Sequence, residues 1–200
     1  MLKETRKLLE RLAAVPLLLK QHKGLPSVVG IVTGEDLSYS WWSHPQSHLL
    51  FQVMNELADH ADVLVCKLLF GKDTFVHRQL FPAVLALVEA DAGCPLDAAA
   101  RQLLTHIVAS ERPVAAEGNA AKDLVLRLKV HALDVHTASG RHELRLESWR
   151  RWAGRTGATP LKSAAAAQLA LERAAALFGV TDVAGAFKHL KIMTMGTPVK

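Results

Sequence analysis

Residues 61–78 read ADVLVCKLLFGKDTFVHR, and this stretch decides the fold of the N-terminal half. Two runs of apolar and β-branched residues flank the tetrapeptide FGKD at positions 70–73. Its glycine and its polar residues are typical of a tight turn between antiparallel strands. The pattern therefore predicts a β-hairpin over about residues 62–78.

Apolar periodicity predicts helices on both sides of this hairpin. Upstream we expect a helix over 2–22 that Pro16 ends or kinks, a buried β-branched strand over 27–33, and a helix over 46–59. Downstream the pattern predicts helices over 81–88, 96–109, 121–136, 141–153 and 161–178. The alternating leucines within 121–136 also fit a strand, and the length of the segment favours the helix.

These elements predict an α+β fold that is mostly helical. Residues 1–92 form a helix and hairpin region, for which a winged-helix-like arrangement is expected. Residues 93–200 form a helical region packed on it, and the two regions share one core because each is small. The sequence contains no recognisable internal repeat.

Composition narrows the class of protein. Half of the 200 residues are hydrophobic and 22% are charged, which is typical of a globular domain. Two cysteines cannot form a disulfide scaffold, and no apolar run reaches membrane-spanning length. The charged N-terminal segment lacks the apolar core of a signal peptide, so we expect a cytosolic protein without membrane contact. Dinucleotide, P-loop, zinc-protease and nucleophile-elbow motifs are absent, and the sequence identifies no metal or cofactor.

Charge is unevenly distributed along the chain. The net charge is +5, and residues 127–162 hold eight basic but only three acidic side chains. A basic helical face attracts phosphate, which suggests nucleic acid or another anionic ligand as partner. An ordinary solvated helix face is the alternative. The candidates for phosphate contact are two hairpin lysines and three arginines of the basic segment: Lys67, Lys72, Arg145, Arg150 and Arg151.

The hexapeptide SWWSHP at 40–45 is the most unusual motif of the chain. Neighbouring tryptophans outside a periodic element point in different directions. One of Trp41 and Trp42 is therefore expected in the core, while the other lines a pocket or stacks on a planar ligand such as a base. His44 follows them at the start of the next helix, where it either acts as a base or caps the helix.

Histidines suggest a second function, a small hydrolase or lyase acting on an anionic small molecule. In that hypothesis His44, His77 and His136 converge as catalytic candidates, and a histidine serves as general base. Ser139 either caps a helix or, beside Arg141, helps to bind an anion at that helix terminus. The ligand-binding candidates for this pocket are Trp41, Trp42, Arg78, Ser139, Arg141 and His142.

Three segments carry a resemblance to a known group of proteins. SWWSHP at 40–45, the GKDTFVHR run at 71–78 and VHTASGRH at 135–142 are similar to segments of an uncharacterised family of short bacterial proteins. The resemblance spans most of residues 38–153. It implies that the three segments belong to one architecture, and it implies no activity, cofactor or catalytic residue.

Overall fold

The computed structural model describes residues 1–90, 95–136 and 142–190. It has the predicted α+β class, with two small antiparallel sheets among helices. Within these ranges no helix is long and apolar enough to cross a membrane.

The N-terminal unit is built around the predicted hairpin, which the structure confirms. Its elements are α1 (Lys3–Ala14), β1 (Leu17–Leu19), α2 (Val28–Thr33), α3 (Ser47–Ala58), β2 (Val63–Leu69) and β3 (Lys72–His77). The strands form an antiparallel sheet in the order β1-β3-β2. Phe70 and Gly71 form the turn with φ of 56° and 64°, the positive values that a two-residue hairpin of matching twist requires.

Two upstream predictions were wrong. The first helix ends at Ala14, before Pro16, and residues 17–19 form a strand because their neighbour β3 offers a ladder of hydrogen bonds. Residues 28–33 form a short helix, not a strand. The side chain of Ser27 accepts a hydrogen bond from the Gly30 N–H at its start, and Gly34 ends it with a left-handed backbone.

The C-terminal half is not the purely helical region that the sequence predicted. Its elements are α4 (Phe81–Ala90), α5 (Ala98–Ala109), β4 (Val114–Ala115), α6 (Gly118–Leu126), β5 (His131–His136), β6 (His142–Glu147), α7 (Trp149–Thr156), α8 (Ala164–Phe178) and α9 (Val183–Phe187). The helix predicted over 121–136 is thus a helix followed by a strand, and that over 141–153 is a strand followed by a helix. Here alternating residues pair across strands, which outweighs local helix propensity.

The second sheet repeats the topology of the first. Its strands lie antiparallel in the order β4-β6-β5, so in both units the last strand is central. Four residues join α3 to β2, and four join α6 to β5. The second unit has one helix between its first two strands where the first unit has two. The repeat exists in topology and is invisible in the amino-acid pattern.

The first sheet is buried on both faces. Leu18 and Phe75 lie in a cluster with α1, α2 and α3, whereas Leu64 and Val76 lie in a cluster with α4, α7, α8 and α9. This second cluster runs from Leu17 to Leu190 and so joins residues of both halves of the chain. A third cluster holds α5 and α6 against the second sheet. The unit therefore presents its α3 side, and not a bare sheet face, to solvent.

Candidate nucleic-acid interface

The two tryptophans of SWWSHP have different environments. They lie in a single 3-10 turn, Trp41–Ser43, with ring centroids 3.9 Å apart and nearly parallel planes. Trp41 is buried, whereas Trp42 is 55% exposed. Trp42 also lies against Phe51 of α3, at 5.8 Å between centroids. One aromatic ring thus anchors the loop in the core and supports a second ring that faces solvent beside α3.

Lysines surround a single carboxylate next to this aromatic pair. Nζ of Lys67 lies 2.7 Å from Asp73, and Nζ of Lys20 lies 3.6 Å from the same side chain. The Lys20 ammonium is also 5.8 Å from the centroid of the Trp41 ring. Lys72 is exposed beside Asp73 and forms no ion pair within the described part of the chain. Two cations against one anion leave one net positive charge next to Trp41, and Lys72 adds a further positive charge at the hairpin turn.

We call this set the lysine–aromatic surface; its members are Lys20, Trp41, Trp42, Lys67 and Lys72. Sequence analysis named four of these residues as candidates and missed Lys20, which it assigned to the helix predicted over 2–22. Lys20 follows β1, and its backbone N–H donates to the carbonyl of Asp73. The run of three buried leucines at 17–19 was the signal that a strand ends there.

The structure gives two of the catalytic candidates a capping role. Nδ1 of His44 accepts a hydrogen bond from the Gln46 N–H, and Nδ1 of His77 accepts one from the Gln79 N–H. This geometry places the ring proton on Nε2 and occupies the lone pair that a general base would use. Burial lowers the pKa of His77, with a smaller opposing effect of Asp62.

The same two histidines lie apart. His44 precedes α3, whereas His77 pairs with Val63, five residues beyond the end of that helix. A helix of 12 residues is about 18 Å long, so they flank its opposite ends. Arg78 is exposed near His77 and binds Asp62 at 2.9 Å. The described residues therefore provide no pocket that unites His44 with His77.

Other candidates fall at the edge of what is described. The backbones of His136 and His142 pair across β5 and β6, while their side chains lie outside the described part. Ser139 and Arg141 also lie outside it. Within the described ranges, no group of three or more histidine, cysteine, aspartate or glutamate side chains could hold a metal ion.

Most arginines of the basic segment bind partners within the protein. Arg145 lies 3.0 Å from Glu143, and Arg151 donates to the carbonyl of Ser110 at 2.7 Å. Arg150 is exposed on α7 and makes no ion pair with described residues. These side chains come from a strand and a helix, so the segment is not the single basic helical face that its sequence suggested.

One buried polar cluster escaped sequence analysis. Nδ1 of His131 donates to Oε1 of Glu147 at 2.9 Å, and Arg155 donates to the same oxygen at 2.7 and 3.2 Å. Burial raises the pKa of Glu147, but the hydrogen bonds from His131 and Arg155 outweigh it and lower the pKa overall. Burial lowers the pKa of His131, because it disfavours the protonated ring. The cluster is thus a carboxylate held by a cation and a neutral imidazole, and it joins β5, β6 and α7.

A groove of about 530 Å³ opens along α6. Asp97, Asn119, Lys122 and Arg127 line it, and none of the sequence-predicted site residues reaches it. The two cations of the groove, Lys122 and Arg127, balance its two carboxylates, Asp97 and Asp123, so the groove offers no clear preference for an anion.

No protein-family model matches this chain, and neither does any curated protein or solved structure. Its function is therefore inferred from its own geometry.

Proposed function

We propose that this protein binds nucleic acid through its N-terminal unit. The observation that carries the proposal is the order of elements α1-β1-α2-α3-β2-β3 with the strand order β1-β3-β2. Winged-helix domains have this arrangement; their last helix before the hairpin enters a groove and the hairpin contacts the backbone beside it. In this protein those elements are α3 and the β2–β3 hairpin.

Two departures from that arrangement bear on how binding would occur. Thirteen residues, 34–46, separate α2 from α3, where a helix-turn-helix has three or four. This longer connection contains the Trp41–Trp42 pair, so it adds aromatic surface at the start of α3. The hairpin turn is also bound to α9, because the Phe70 N–H donates a hydrogen bond to the Ala186 carbonyl at 2.7 Å. The hairpin is therefore a fixed element that presents Lys72.

Charge at the surface supports the proposal even though residues 1–92 have a net charge of −1. Part of the acidic charge elsewhere in the unit is engaged: Glu56 accepts hydrogen bonds from Thr5 and from the Leu2 N–H, and Asp62 pairs with Arg78. Lys20, Lys67 and Lys72 form a local excess of cations at the hairpin. Local potential, rather than the total charge of the unit, determines where a phosphate backbone approaches.

The test uses Trp42 as its reporter, because the other three tryptophans are buried. We expect a random duplex to quench tryptophan emission at about 50 mM salt. If three lysines each release a counterion, affinity falls about 40-fold between about 50 and 200 mM salt. Trp42→Phe should abolish the fluorescence change while anisotropy of a labelled duplex still reports binding.

Charge variants test which surface is responsible. Lys72→Ala should weaken binding and reduce the loss over the same salt range to about 12-fold, since one phosphate contact is removed. Lys162→Ala is the matched control; this exposed lysine precedes α8, which packs on the other face of the sheet. Absence of binding at low salt, or equal effects of the two substitutions, would contradict the proposal.

A further inference from the structure

We infer that α3 reads base edges in the major groove of duplex DNA through His48 and Gln52. The inference rests on the proposed function and adds to it the class of nucleic acid and the side chains that confer sequence preference.

The helix α3 has two distinct faces. Leu50, Val53 and Leu57 are completely buried against the rest of the unit. His48 and Gln52 are exposed and lie one helical turn apart, with Nε2 of one 3.2 Å from Nε2 of the other. This contact aligns the two polar groups in one row along the outer side of the helix.

The chemistry of the outer face suits bases better than phosphates. Residues 47–55 contain no lysine, arginine, aspartate or glutamate. The first carboxylate, Glu56, is directed back to α1, where it binds Thr5 and the amino terminus. An uncharged amide and an imidazole match the donors and acceptors of base edges, which carry no net charge.

Phosphate contacts are available at the flank of the same helix. Phe51 of α3 touches Trp42, Trp42 stacks on Trp41, and Lys20 lies over Trp41. This chain of contacts places the lysine–aromatic surface directly beside α3. A helix seated in a groove would therefore have cations next to the backbone that borders that groove, as charge complementarity requires.

Geometry favours the major groove of a duplex. That groove is about 12 Å wide and admits a helix, while the minor groove does not. Nε2 of His48 and Nε2 of Gln52 lie 3.2 Å apart, close to the rise of about 3.4 Å between base pairs, so the two side chains can reach neighbouring base pairs. Gln52 is suited to the paired donor and acceptor of adenine, and the imidazole N–H of His48 to a purine N7.

The equivalent helix of the second unit is less suited to this role. The hairpin turn of the first unit packs against α6: a Cβ added at Gly71 would lie 2.8 Å from Leu126. The α6 face also contains an ion pair, Arg127 with Asp123 at 2.6 Å. We therefore assign base reading to α3 alone.

The experiment selects bound duplexes from a random library with the full-length protein at about 0.1 M salt. We expect enrichment of a short motif that contains adenine. Gln52→Ala should lower discrimination at the adenine position by about 5- to 150-fold, the range of one bidentate contact. Binding to unselected duplex and its salt dependence should stay unchanged, because Gln52 contacts no phosphate.

Gln102→Ala is the matched control, since Gln102 is an exposed glutamine on another helix, α5. His48→Ala should alter preference at the neighbouring position only. Salt-dependent binding without any enriched motif, or tighter binding of single strands than of duplex, would overturn this inference and leave the proposed function standing. Absence of all binding would refute both, and circular dichroism of each variant excludes misfolding as the cause.

Discussion

Replacing Arg155 with alanine should destabilise the protein by about 3 kcal/mol, although 48% of this side chain is exposed. The reason is Glu147, whose carboxylate is almost completely buried and accepts two hydrogen bonds from Arg155. Without these two hydrogen bonds the buried Glu147 carboxylate keeps the hydrogen bond from His131 but loses the cation that balances its charge. Breaking a buried pair costs roughly 3–5 kcal/mol, and the lower end applies because Arg155 regains water on unpairing.

Glu147→Gln should cost less, about 1–2 kcal/mol, because the amide oxygen still accepts from His131 and Arg155 while no buried charge remains. The double variant should then be about 1 kcal/mol more stable than Arg155→Ala alone, since the uncompensated carboxylate is gone. Urea unfolding followed by circular dichroism at pH 7.5 measures all three. Arg150→Ala, on the same helix but exposed, should change stability by less than about 0.5 kcal/mol. A destabilisation of the double variant equal to the sum of the two single destabilisations would refute the reasoning.

Three further predictions concern stability and reactivity. Burial lowers the pKa of four histidines below the ordinary value; they are His22, His77, His131 and His189. As the pH falls below 6.5, the unfolded chain therefore binds more protons than the native protein. The free energy of unfolding should therefore keep its full value above pH 6.5 and decline towards pH 5, by up to about 1.4 kcal/mol per pH unit for each histidine. A free energy of unfolding that stays the same in urea titrations over this pH range would contradict the prediction. Burial raises the pKa of Cys66 to about 12, so in a Cys94→Ser background the native protein should resist a thiol reagent at pH 8 that reacts at once after unfolding. Ser27→Ala should cost about 1 kcal/mol in thermal unfolding through loss of the α2 cap, whereas exposed Ser38→Ala, the control, should be neutral.

The sequence was sufficient to predict an element where its local pattern favoured only one kind of secondary structure. The hairpin turn and the amphipathic face of α3 depend on neighbours within a few residues, and each was predicted within one residue of its ends, whereas α8 begins three residues later than predicted. Residues 28–33 show how such signals conflict. Their β-branched side chains favour a strand, yet Ser27 and Gly34 are the cap residues of a short helix, and burial in the core decides for the helix.

The second sheet shows the opposite limit. Alternating leucines in 121–136 fit both a strand and a helix, and β4 is only two residues long. A strand of that length carries no periodicity of its own; it exists because β6 pairs with it. The topological repeat between the two units therefore becomes visible only when the strands are paired.

From the sequence alone came the α+β class, the hairpin, the tryptophan pair and the hairpin lysines, because composition and short-range pattern are local properties. Only the tertiary structure decided that Lys20 joins Trp41 and Asp73, that His44 and His77 lie at opposite ends of α3, and that the carboxylate of Glu147 is buried. Each of these depends on contacts between residues far apart in the chain. Such contacts arise from the pairing of strands and the packing of helices on both sheets, which no local pattern encodes.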